Sequence, residues 1–359
     1  MSQRQSIAVI AGDGIGKEVM PAAIECLNAV AGMHSIALDF VDLPWGSDYY
    51  QQHGRMMPVD GLEQMSRHDA VFLGAVGIPS IPDTETLWGL LIPIRRAFEQ
   101  YVNVRPVKTL AGVTTPLASD KNIDFVIVRE NNEGEYSEVG GRIYRGLPQE
   151  AAVQEAVFTR FGVARAARYA AELASKRSGR ITSATKSNGI VHTMPFWDEV
   201  VAETVAEVGG LELESVLIDA LAAKMVLSPW SFDVVVASNL FGDILSDLGS
   251  ALTGSIGVAP SANLNPERKH PSLFEPVHGS AHDIAGMGVA NPVGQIWSGA
   301  MMLDHLGYPD AAQHLSNAFE TVLATGIRTK DLGGTASTVE FTSAVLEAIS
   351  STADVAAAR

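Results

Sequence analysis

The chain has 359 residues, 47% of them hydrophobic, and a formal net charge of −16 at pH 7. This length indicates two lobes rather than one simple core, and the acidity argues against a nucleic-acid partner, which would need a basic face on the protein. The single cysteine, Cys26, excludes an internal disulfide. Because no apolar run reaches membrane-spanning length and the N-terminus lacks the features of a signal peptide, we expect a cytoplasmic protein with no membrane partner.

Apolar runs typical of strands alternate with helical apolar spacing along the whole chain. The strands are predicted at Ser6–Ala11, His34–Val41, Ala70–Ala75, Phe125–Val128, Arg180–Ala184 and Phe232–Ala237. The helices are predicted at Glu18–Ala31, Phe158–Lys176, Pro195–Val208, Gly294–Leu306 and Asp310–Ala324. This order predicts an α/β chain with a largely parallel sheet. Since no linker interrupts it, two interleaved lobes are favoured over two domains in succession.

The segment AGDGIGKE, Ala11 to Glu18, lies between the first predicted strand and helix. A dinucleotide fingerprint would need a third glycine where Lys17 stands, and the segment does not match a Walker A loop either. We interpret it as a tight turn from strand to helix that could also contact a ligand.

Three arginines stand at the ends of apolar segments. Arg95 closes LWGLLIPIRR, Arg105 lies in YVNVRPVK, and Arg129 follows the run FVIV. Arginine suits bidentate binding of carboxylates, so the three side chains could clamp a dicarboxylate. The alternative for each arginine is an ordinary surface charge.

Two further side chains follow predicted strands and could transfer protons. Tyr136 lies in the polar segment RENNEGEYSE, which we predict to be a loop, and Lys186 lies in SATKSNG. A tyrosine beside a cation can donate a proton, and a lysine in such a site can accept one. Either residue could equally be an ordinary surface residue.

Asp243 and Asp247 follow the apolar run FDVVVASNLF, four residues apart in the segment SNLFGDILSDLGSAL. This spacing places both carboxylates on one face of a helix, where like charges repel unless a cation lies between them. Such oxygen ligands suit Mg²⁺ or Mn²⁺. The alternative is a helix N-terminus with one capping and one exposed aspartate.

The segment FEPVHGSAHDIAGMGVANP, Phe274 to Pro292, is rich in glycine and polar residues. Such loops let backbone N–H groups approach phosphates. Within it, Asp283 could accept hydrogen bonds from the two hydroxyls of an adenosine ribose, which would favour NAD over NADP. The alternative is an ordinary turn-rich loop.

Together these motifs resemble the metal-dependent β-decarboxylating dehydrogenases, the family of the isopropylmalate, isocitrate, tartrate and D-malate dehydrogenases. The resemblance extends from IAVIAGDGIG to DLGGTAST, and its most specific motifs are VNVRPVK, VRENNEGEYS, NLFGDILSDL and EPVHGSAHDIAGMGVANP. Three segments resemble the tartrate and D-malate branch: DLPWGSDYYQQHGRMMP, TLWGLLIPIRR and EYSEVGGRIYRGLPQE.

The resemblance implies a role for each matching residue. The substrate would be bound by Arg95, Arg105, Arg129 and Leu90, with Tyr136 as the acid and Lys186 as the base. The metal ion, Mn²⁺ or Mg²⁺, would be held by Asp219, Asp243 and Asp247. Lys186 and Asp219 would come from the partner subunit, so the active unit would be a homodimer with shared active sites. The cofactor-binding residues would be His278, Gly279, Ser280, Ala281, Asp283, Ile284 and Asn291.

The resemblance also implies a fold and an activity. The fold would be the two-lobed α/β/α isopropylmalate dehydrogenase-like fold, which is not a Rossmann fold. Residues 1–100 and 256–359 would form the cofactor-binding lobe, and residues 101–255 would form the central lobe with the dimer interface and the metal-binding aspartates. The activity would be NAD- and metal-dependent oxidation, with decarboxylation, of a small 2-hydroxy dicarboxylic acid. Tartrate or D-malate is the expected substrate, and D-malate would give pyruvate, CO₂ and NADH.

The cofactor is expected to be NAD, because family members that use NADP carry a basic residue and a tyrosine where this chain has Asp283 and Ile284. A monovalent cation such as K⁺ is a further candidate cofactor. The chain departs from the family pattern at His282, where proline is commoner, and at Leu87 and Trp88, near where the isopropylmalate branch carries an acid. The alternatives are a 3-isopropylmalate dehydrogenase, a metal-dependent phosphate-handling enzyme and a non-catalytic dicarboxylate-binding protein.

Overall fold

The computed structural model describes residues 4–119 and 121–357, with side chains as far as residue 351. The strands are β1 (Gln5–Gly12), β2 (Leu38–Asp42), β3 (Ala70–Ala75), β4 (Val102–Lys108), β5 (Asp124–Glu130), β6 (Gly134–Ile143), β7 (Ala151–Val157), β8 (Arg180–Thr185), β9 (Glu212–Leu217), β10 (Val234–Ala237), β11 (Pro260–Leu264) and β12 (Ser272–Pro276).

The helices are α1 (Gly16–Met33), α2 (Ser47–His53), α3 (Gly61–Met65), α4 (Asp83–Thr86), α5 (Ile92–Ala97), α6 (Arg160–Ser175), α7 (Thr193–Val208), α8 (Ile218–Leu227), α9 (Asn239–Leu252), α10 (Val293–His305), α11 (Pro309–Ala324) and α12 (Thr338–Ala357). A π-helical turn, Leu87–Leu91, joins α4 to α5, and short 3₁₀ turns occur at Pro229–Ser231, Ile256–Val258 and Lys330–Leu332.

The chain divides into two compact units, and the first of them is assembled from three separate segments: Met1–Gln100, Thr109–Ala118 and Ser250–Arg359. Within this unit the strand order is β2-β1-β3-β12-β11, and the pairs are parallel except for β11 with β12. Phe72 of β3 pairs in register with Phe274 of β12, and both side chains are fully buried. The core of this unit therefore joins strands that lie some two hundred residues apart in the sequence.

Helices α1, α10, α11 and α12 pack against one another in the first unit. In α1 the buried side chains include Val19, Ala23, Leu27 and Val30, a spacing that places them on one face of the helix. In α12 the residues Phe341, Val345 and Ile349 recur every four positions and are fully buried. These apolar faces bury the helices against each other and against the sheet.

The second unit consists of Tyr101–Lys108 and Ser119–Gly249. Its strand order is β4-β5-β10-β8-β9, in which β4 is antiparallel to β5 and the other pairs are parallel. Helix α6 begins after Thr159, whose hydroxyl accepts a hydrogen bond from the Gly162 N–H (2.9 Å). The fully buried residues of α6 include a row of alanines, which lets the helix lie close to its neighbours.

The predicted α/β order is confirmed, with element ends shifted by a few residues. The predicted strand at His34–Val41 is wrong in its first part, because α1 runs on to Met33 and Ser35 has a left-handed φ of 55° before β2 begins at Leu38. The prediction of a loop around Tyr136 is also wrong, because Gly134–Ile143 pairs antiparallel with Ala151–Val157 in a separate hairpin. In the part of the chain that is described, no helix is both long and apolar enough to cross a bilayer.

Candidate active site

Two buried arginines of the second unit meet one aspartate. Arg105 Nη1 donates to Asp243 Oδ1 (3.3 Å) and to Ser246 Oγ (2.6 Å), and Arg129 Nη1 donates to the same Asp243 oxygen. Arg105 lies on β4 and Arg129 on β5, and only 8% and 2% of these residues is exposed. The interpretation of these two arginines as ordinary surface charges is therefore wrong.

The two aspartates lie on one face of α9, as their spacing predicts. Arg105 Nη1 is 3.6 Å from Asp247 Oδ1, so both carboxylates face the same guanidinium. Helix α9 begins at Asn239 and has no acidic residue in its first turn, so the interpretation of Asp243 as a helix cap is wrong. Desolvation raises the pKa of Asp247, the charge of Arg105 opposes the rise, and the neighbouring Asp243 adds to it.

Tyr136 lies on β6 beside this cluster. The guanidinium carbon of Arg129 is 5.7 Å from the centre of the Tyr136 ring, within the range of a cation–π contact. The structure therefore brings together Arg105, Arg129, Tyr136 and the aspartate pair, which come from four different elements of the second unit.

Lys186 and Asp219 form a separate pair in the same unit. Lys186 follows β8 directly, Asp219 is in the first turn of α8, and Lys186 Nζ donates to Asp219 Oδ1 (2.8 Å). This hydrogen bond is the largest cause of the lowered pKa of Asp219. The two residues for which the resemblance implies a common origin in the partner subunit thus lie next to each other on one chain.

The donor set on α9 suits a hard divalent cation. The Asp243 and Asp247 side chains are 37% and 61% exposed, so their carboxylate oxygens remain accessible on the side away from Arg105. Such carboxylate oxygens are the ligands that Mg²⁺ and Mn²⁺ take in proteins. Among the described residues of one chain, no group of three or more His, Cys, Asp or Glu side chains could hold a metal ion. The residues present fit a metal that takes its remaining ligands from substrate, water or a second subunit.

The third predicted arginine lies in the first unit, on α5. Arg95 is 5% exposed, and its Nη2 donates to Glu275 Oε1 (3.2 Å), which also accepts from Asn263 Nδ2 (2.7 Å). Sequence reasoning missed Glu275, although it opens the motif EPVHGSAH. Leu90 is fully buried in a core cluster with Ile10, Leu73 and other apolar side chains, a position that supports core packing rather than direct contact with substrate.

The predicted cofactor loop lies in the first unit between β12 and α10 and is fastened to the AGDGIGKE turn. Ile15 N–H donates to the Ser280 carbonyl (2.8 Å), and a Cβ on Gly14 would lie only 1.9 Å from that oxygen. Gly14 also has a φ of +52°, which favours glycine. Where the family pattern has proline, His282 Nε2 donates to the Gly77 carbonyl (2.5 Å), so a hydrogen bond holds the loop at this position.

The other predicted cofactor residues follow the same loop. Asp283 is exposed, whereas Ile284 packs against Ile15 and Val19 at the start of α1. Asn291 is buried; its Nδ2 donates to Asp331 Oδ2 (2.9 Å), and its Oδ1 accepts from the Val293 N–H (3.0 Å). Asn291 therefore anchors the end of the loop to the start of α10.

Two observations fit a nucleotide in this part of the first unit. A cavity of about 390 Å³ beside the start of α1 is lined by Gly14, Lys17, His282 and Gly286. Asp13, Glu18 and Asp48 also line it, and Asp48 forms an ion pair with Lys17 (2.6 Å). His278 Nε2 is buried with no hydrogen-bond partner among the described residues, and burial lowers the pKa of this imidazole. A bound nucleotide would give that nitrogen a partner.

The fold and the site together define a class: an α/β protein with buried arginines, whose side chains suit an anion, beside a carboxylate pair suited to a divalent cation. The family model described as isocitrate/isopropylmalate dehydrogenase matches residues 6–349, and the chain belongs to this family. The family resemblance and the prediction of a non-Rossmann α/β fold are confirmed.

Relatives and solved structures match over nearly the whole chain. The probable tartrate dehydrogenase/decarboxylase of Bacillus subtilis (strain 168) is 55% identical, over 95% of this chain and 97% of its own length. The D-malate dehydrogenase [decarboxylating] of Escherichia coli (strain K12) is 53% identical, over 97% and 99%. The isocitrate dehydrogenase structure from Methylococcus capsulatus has a TM-score of 0.87 at 32% identity, covering 96% of this chain and 99% of that one. The β-decarboxylating dehydrogenase structure from Thermococcus kodakarensis has a TM-score of 0.79 at 36% identity, covering 97% and 96%.

Proposed function

We propose that this protein catalyses the NAD- and divalent-metal-dependent oxidation and decarboxylation of a small 2-hydroxy dicarboxylic acid, tartrate or D-malate. The observation that carries the proposal is the meeting of buried Arg105 and Arg129 at Asp243, beside the partly exposed carboxylate of Asp247. Relatives named tartrate dehydrogenase/decarboxylase and D-malate dehydrogenase, which match nearly the whole chain, support this substrate class.

The arginines would bind the substrate carboxylates. Arg105 and Arg129 are oriented by Asp243, Ser246 and Asn239, and Arg95 is oriented by Glu275. A guanidinium whose orientation is already fixed loses little conformational entropy when it binds a carboxylate. Arg95, Arg105 and Arg129 would therefore select a doubly charged acid.

Lys186 and Tyr136 would transfer the protons. Lys186 Nζ would accept the proton of the C2 hydroxyl, and the Tyr136 hydroxyl would protonate C3 after CO₂ has left. With D-malate the products are pyruvate, CO₂ and NADH, and the proton taken at the hydroxyl balances the proton returned at C3. Bound NAD would supply the hydride acceptor. A divalent ion on Asp243, Asp247 and a partner's Asp219 would stabilise the negative charge that develops on the C2 oxygen.

The active unit would be a homodimer in which Lys186 and Asp219 serve the site of the other subunit. The residues of the β6–β7 hairpin with large exposed apolar side chains are Val139, Ile143, Tyr144, Leu147, Val153 and Val157. An exposed apolar group of this extent is typical of a protein–protein interface. Residues 1–100 and 256–359 would provide the cofactor lobe, with Asp283 on the adenosine ribose, and a cytoplasmic location remains our prediction.

The test is a substrate panel. NADH formation from D-malate, tartrate and 3-isopropylmalate is measured with Mn²⁺, with Mg²⁺ and with EDTA, with NAD or NADP, and with or without K⁺. We expect metal-dependent NADH formation from D-malate or tartrate and little from 3-isopropylmalate. The variant Asp243→Asn should lose activity, and Asp304→Asn, the same change at an exposed site on α10, should keep it.

Other results of the substrate panel would each support one of the alternative functions. A preference for 3-isopropylmalate would replace the proposed substrate with that of the isopropylmalate branch. Binding of the acids with no NADH under any condition would indicate a non-catalytic dicarboxylate-binding protein.

A further inference from the structure

We propose that Asn239 is a positioning residue for Arg129, which fixes the plane of the substrate-binding guanidinium. This inference deepens the function proposed above and rests on it. Asn239 is the first residue of α9 and is 1% exposed. It lies outside every set of residues that the sequence motifs indicated as ligands or catalysts.

The hydrogen bonds of Asn239 define its orientation. Its Oδ1 accepts from Arg129 Nε (3.0 Å) and from Arg129 Nη2 (2.7 Å), and its Nδ2 donates to the Glu133 carbonyl (3.2 Å). A guanidinium can only donate and a carbonyl can only accept, so the amide has one orientation that satisfies both partners. Two neighbouring donors of Arg129 are therefore held by one oxygen atom, and the third, Nη1, faces Asp243.

The segment that holds Asn239 is itself held firmly. The buried carboxylate of Glu130 accepts the N–H groups of Asn132 (2.9 Å) and Glu133 (2.8 Å), and the Glu133 carboxylate accepts from the N–H (2.8 Å) and hydroxyl (2.5 Å) of Thr159. The Glu133 carbonyl is thus a fixed acceptor for Asn239. The orientation of Arg129 consequently depends on α9 through Asn239 and on the β5–β6 connection through Glu133.

An amide suits this role better than a carboxylate. The amide oxygen accepts two hydrogen bonds without neutralising the charge of Arg129, which already faces the Asp243 carboxylate. A second carboxylate at position 239 would lower the attraction of Arg129 for an anionic substrate and would repel the Glu133 carbonyl oxygen. Asn239 therefore fixes the direction of the guanidinium and leaves its charge available to the substrate.

The experiment is a double-mutant cycle on the full-length enzyme, with Asn239→Ala and Arg129→Lys singly and together. Because hydrogen bonds to charged groups are involved, we expect Asn239→Ala to raise KM for the hydroxy acid about tenfold to hundredfold. The KM for NAD should change little, whereas the thermal midpoint should fall, because the buried Nε and Nη2 of Arg129 lose their acceptor. In the Arg129→Lys background, the same Asn239→Ala change should have less than about a twofold further effect.

Two more variants separate positioning from folding. Asn265→Ala removes an equally buried asparagine of the first unit, 1% exposed, and should leave the hydroxy-acid KM unchanged. Asn239→Asp keeps an acceptor for Arg129 and should still raise that KM, which tests the argument about charge if Asn239→Ala fails to fold. An equal fold-change in both Arg129 backgrounds, or a wild-type KM in Asn239→Ala and Asn239→Asp, would overturn the proposal.

Calorimetric titration of the same variants with tartrate measures binding without turnover. It therefore distinguishes failure of the proposed dehydrogenase function from failure of the positioning role of Asn239. Absence of NADH formation by the wild-type protein with every hydroxy acid overturns the proposed function alone, because the binding cycle still shows whether Asn239 acts through Arg129. Wild-type turnover combined with additive effects of the two substitutions overturns the positioning role alone.

Discussion

Three buried arginine side chains are each held in one orientation by hydrogen bonds. Arg95, Arg105 and Arg129 are nearly inaccessible, and each donates to a carboxylate or amide oxygen. Burial of an unpaired charge would be very costly, so a buried guanidinium requires such partners. Glu275 in the first unit and Asn239 in the second therefore matter to the orientation of Arg95 and Arg129 as much as the arginines' own positions do.

At the residue scale, a substitution at Gly242 tests how closely α9 packs on β5. A Cβ at this position would lie 2.6 Å from Arg129 Cβ and 2.7 Å from Arg129 Cγ, so Gly242→Ala must displace the stem of Arg129. We expect a loss of about 1–3 kcal/mol in the free energy of unfolding and a raised KM for the hydroxy acid. Urea unfolding and steady-state kinetics measure the two effects.

The matched control is Gly32→Ala in α1, where an added Cβ meets nothing within 4 Å. This change should leave the KM unaltered and increase stability by up to about 1 kcal/mol, because alanine favours helix over glycine. Equal behaviour of the two variants would contradict the claim that Arg129 needs glycine beside it.

At the element scale, the sequence predicts elements whose apolar pattern is regular. Strand β3 is predicted with its observed ends, because AVFLGA is uniformly apolar and fully buried. The β6–β7 hairpin is missed, because its strands carry glycine and charged residues and show little apolar alternation. Helix α12 is also missed, although the spacing of Phe341, Val345 and Ile349 would have indicated it.

In the candidate site, too, residues that stand out in the local sequence are predicted, and residues that act through distant contacts are not. The arginines and aspartates are recognisable because side chains that suit carboxylates and cations follow several apolar runs, and the structure brings Arg105, Arg129, Asp243 and Asp247 together. Asn239 and Glu275 are not recognisable in this way, since their importance lies in hydrogen bonds to residues far away in the sequence. Local pattern cannot specify such a partner; only the register of the strands and the packing of α9 do.

The cofactor loop allows an element-scale prediction about the choice between NAD and NADP. Asp283 is exposed on this loop and would accept from the ribose hydroxyls. Asp283→Ala should therefore reduce the NAD-over-NADP ratio of kcat/KM about tenfold or more. Steady-state kinetics with NAD and with NADP measure this ratio. The control is Asp304→Ala on α10, which also removes an exposed acid. An unchanged ratio would exclude Asp283 from the ribose site.

At the scale of the whole molecule, stability should depend on one buried acid. Burial raises the pKa of Glu130 to about 7, with a smaller rise from Glu133, while the Asn132 and Glu133 N–H groups and Arg165 oppose the shift. The unfolded chain releases this proton near pH 4.5, whereas the folded chain keeps it up to about pH 7. Stability should therefore fall between these pH values, by an amount on the order of 3 kcal/mol, and then level off.

Urea unfolding of the wild type and Glu130→Gln between pH 5 and 8 checks this expectation. The variant does not titrate at this position, so its stability should improve relative to the wild type as the pH rises. Glu340→Gln is the control: hydrogen bonds from Ser337 lower the pKa of Glu340, so its titration lies below this range. Parallel curves for Glu130→Gln and the wild type would contradict the prediction.

The proposed sharing of active sites predicts complementation between inactive subunits. In a heterodimer of Asp219→Asn and Asp243→Asn subunits, one site carries both changes and the other carries neither. Equal mixing of the two inactive variants by joint refolding should therefore restore about a quarter of the wild-type activity. The NADH assay measures the recovery.

The control is a mixture of Asp243→Asn and Asp247→Asn subunits, in which every site carries one defect and no recovery is expected. Recovery in both mixtures, or in neither, would contradict the assignment of Asp219 to the opposite site. This pattern depends only on which chain supplies each aspartate, so it is independent of the identity of the metal.

The divided sequence of the first unit has a consequence for biosynthesis. Strand β3 ends at Ala75, but its neighbour β12 begins at Ser272, and α12 closes the unit at the end of the described chain. On the ribosome, the segments of the second unit are synthesised, as far as Gly249, before β12 is translated. We expect the second unit to be protected from protease in nascent chains that are stalled once Gly249 has left the ribosomal exit tunnel, while the first hundred residues remain cleavable. The N-terminal segment must therefore wait, unfolded or held by a chaperone, for the last third of the translation product.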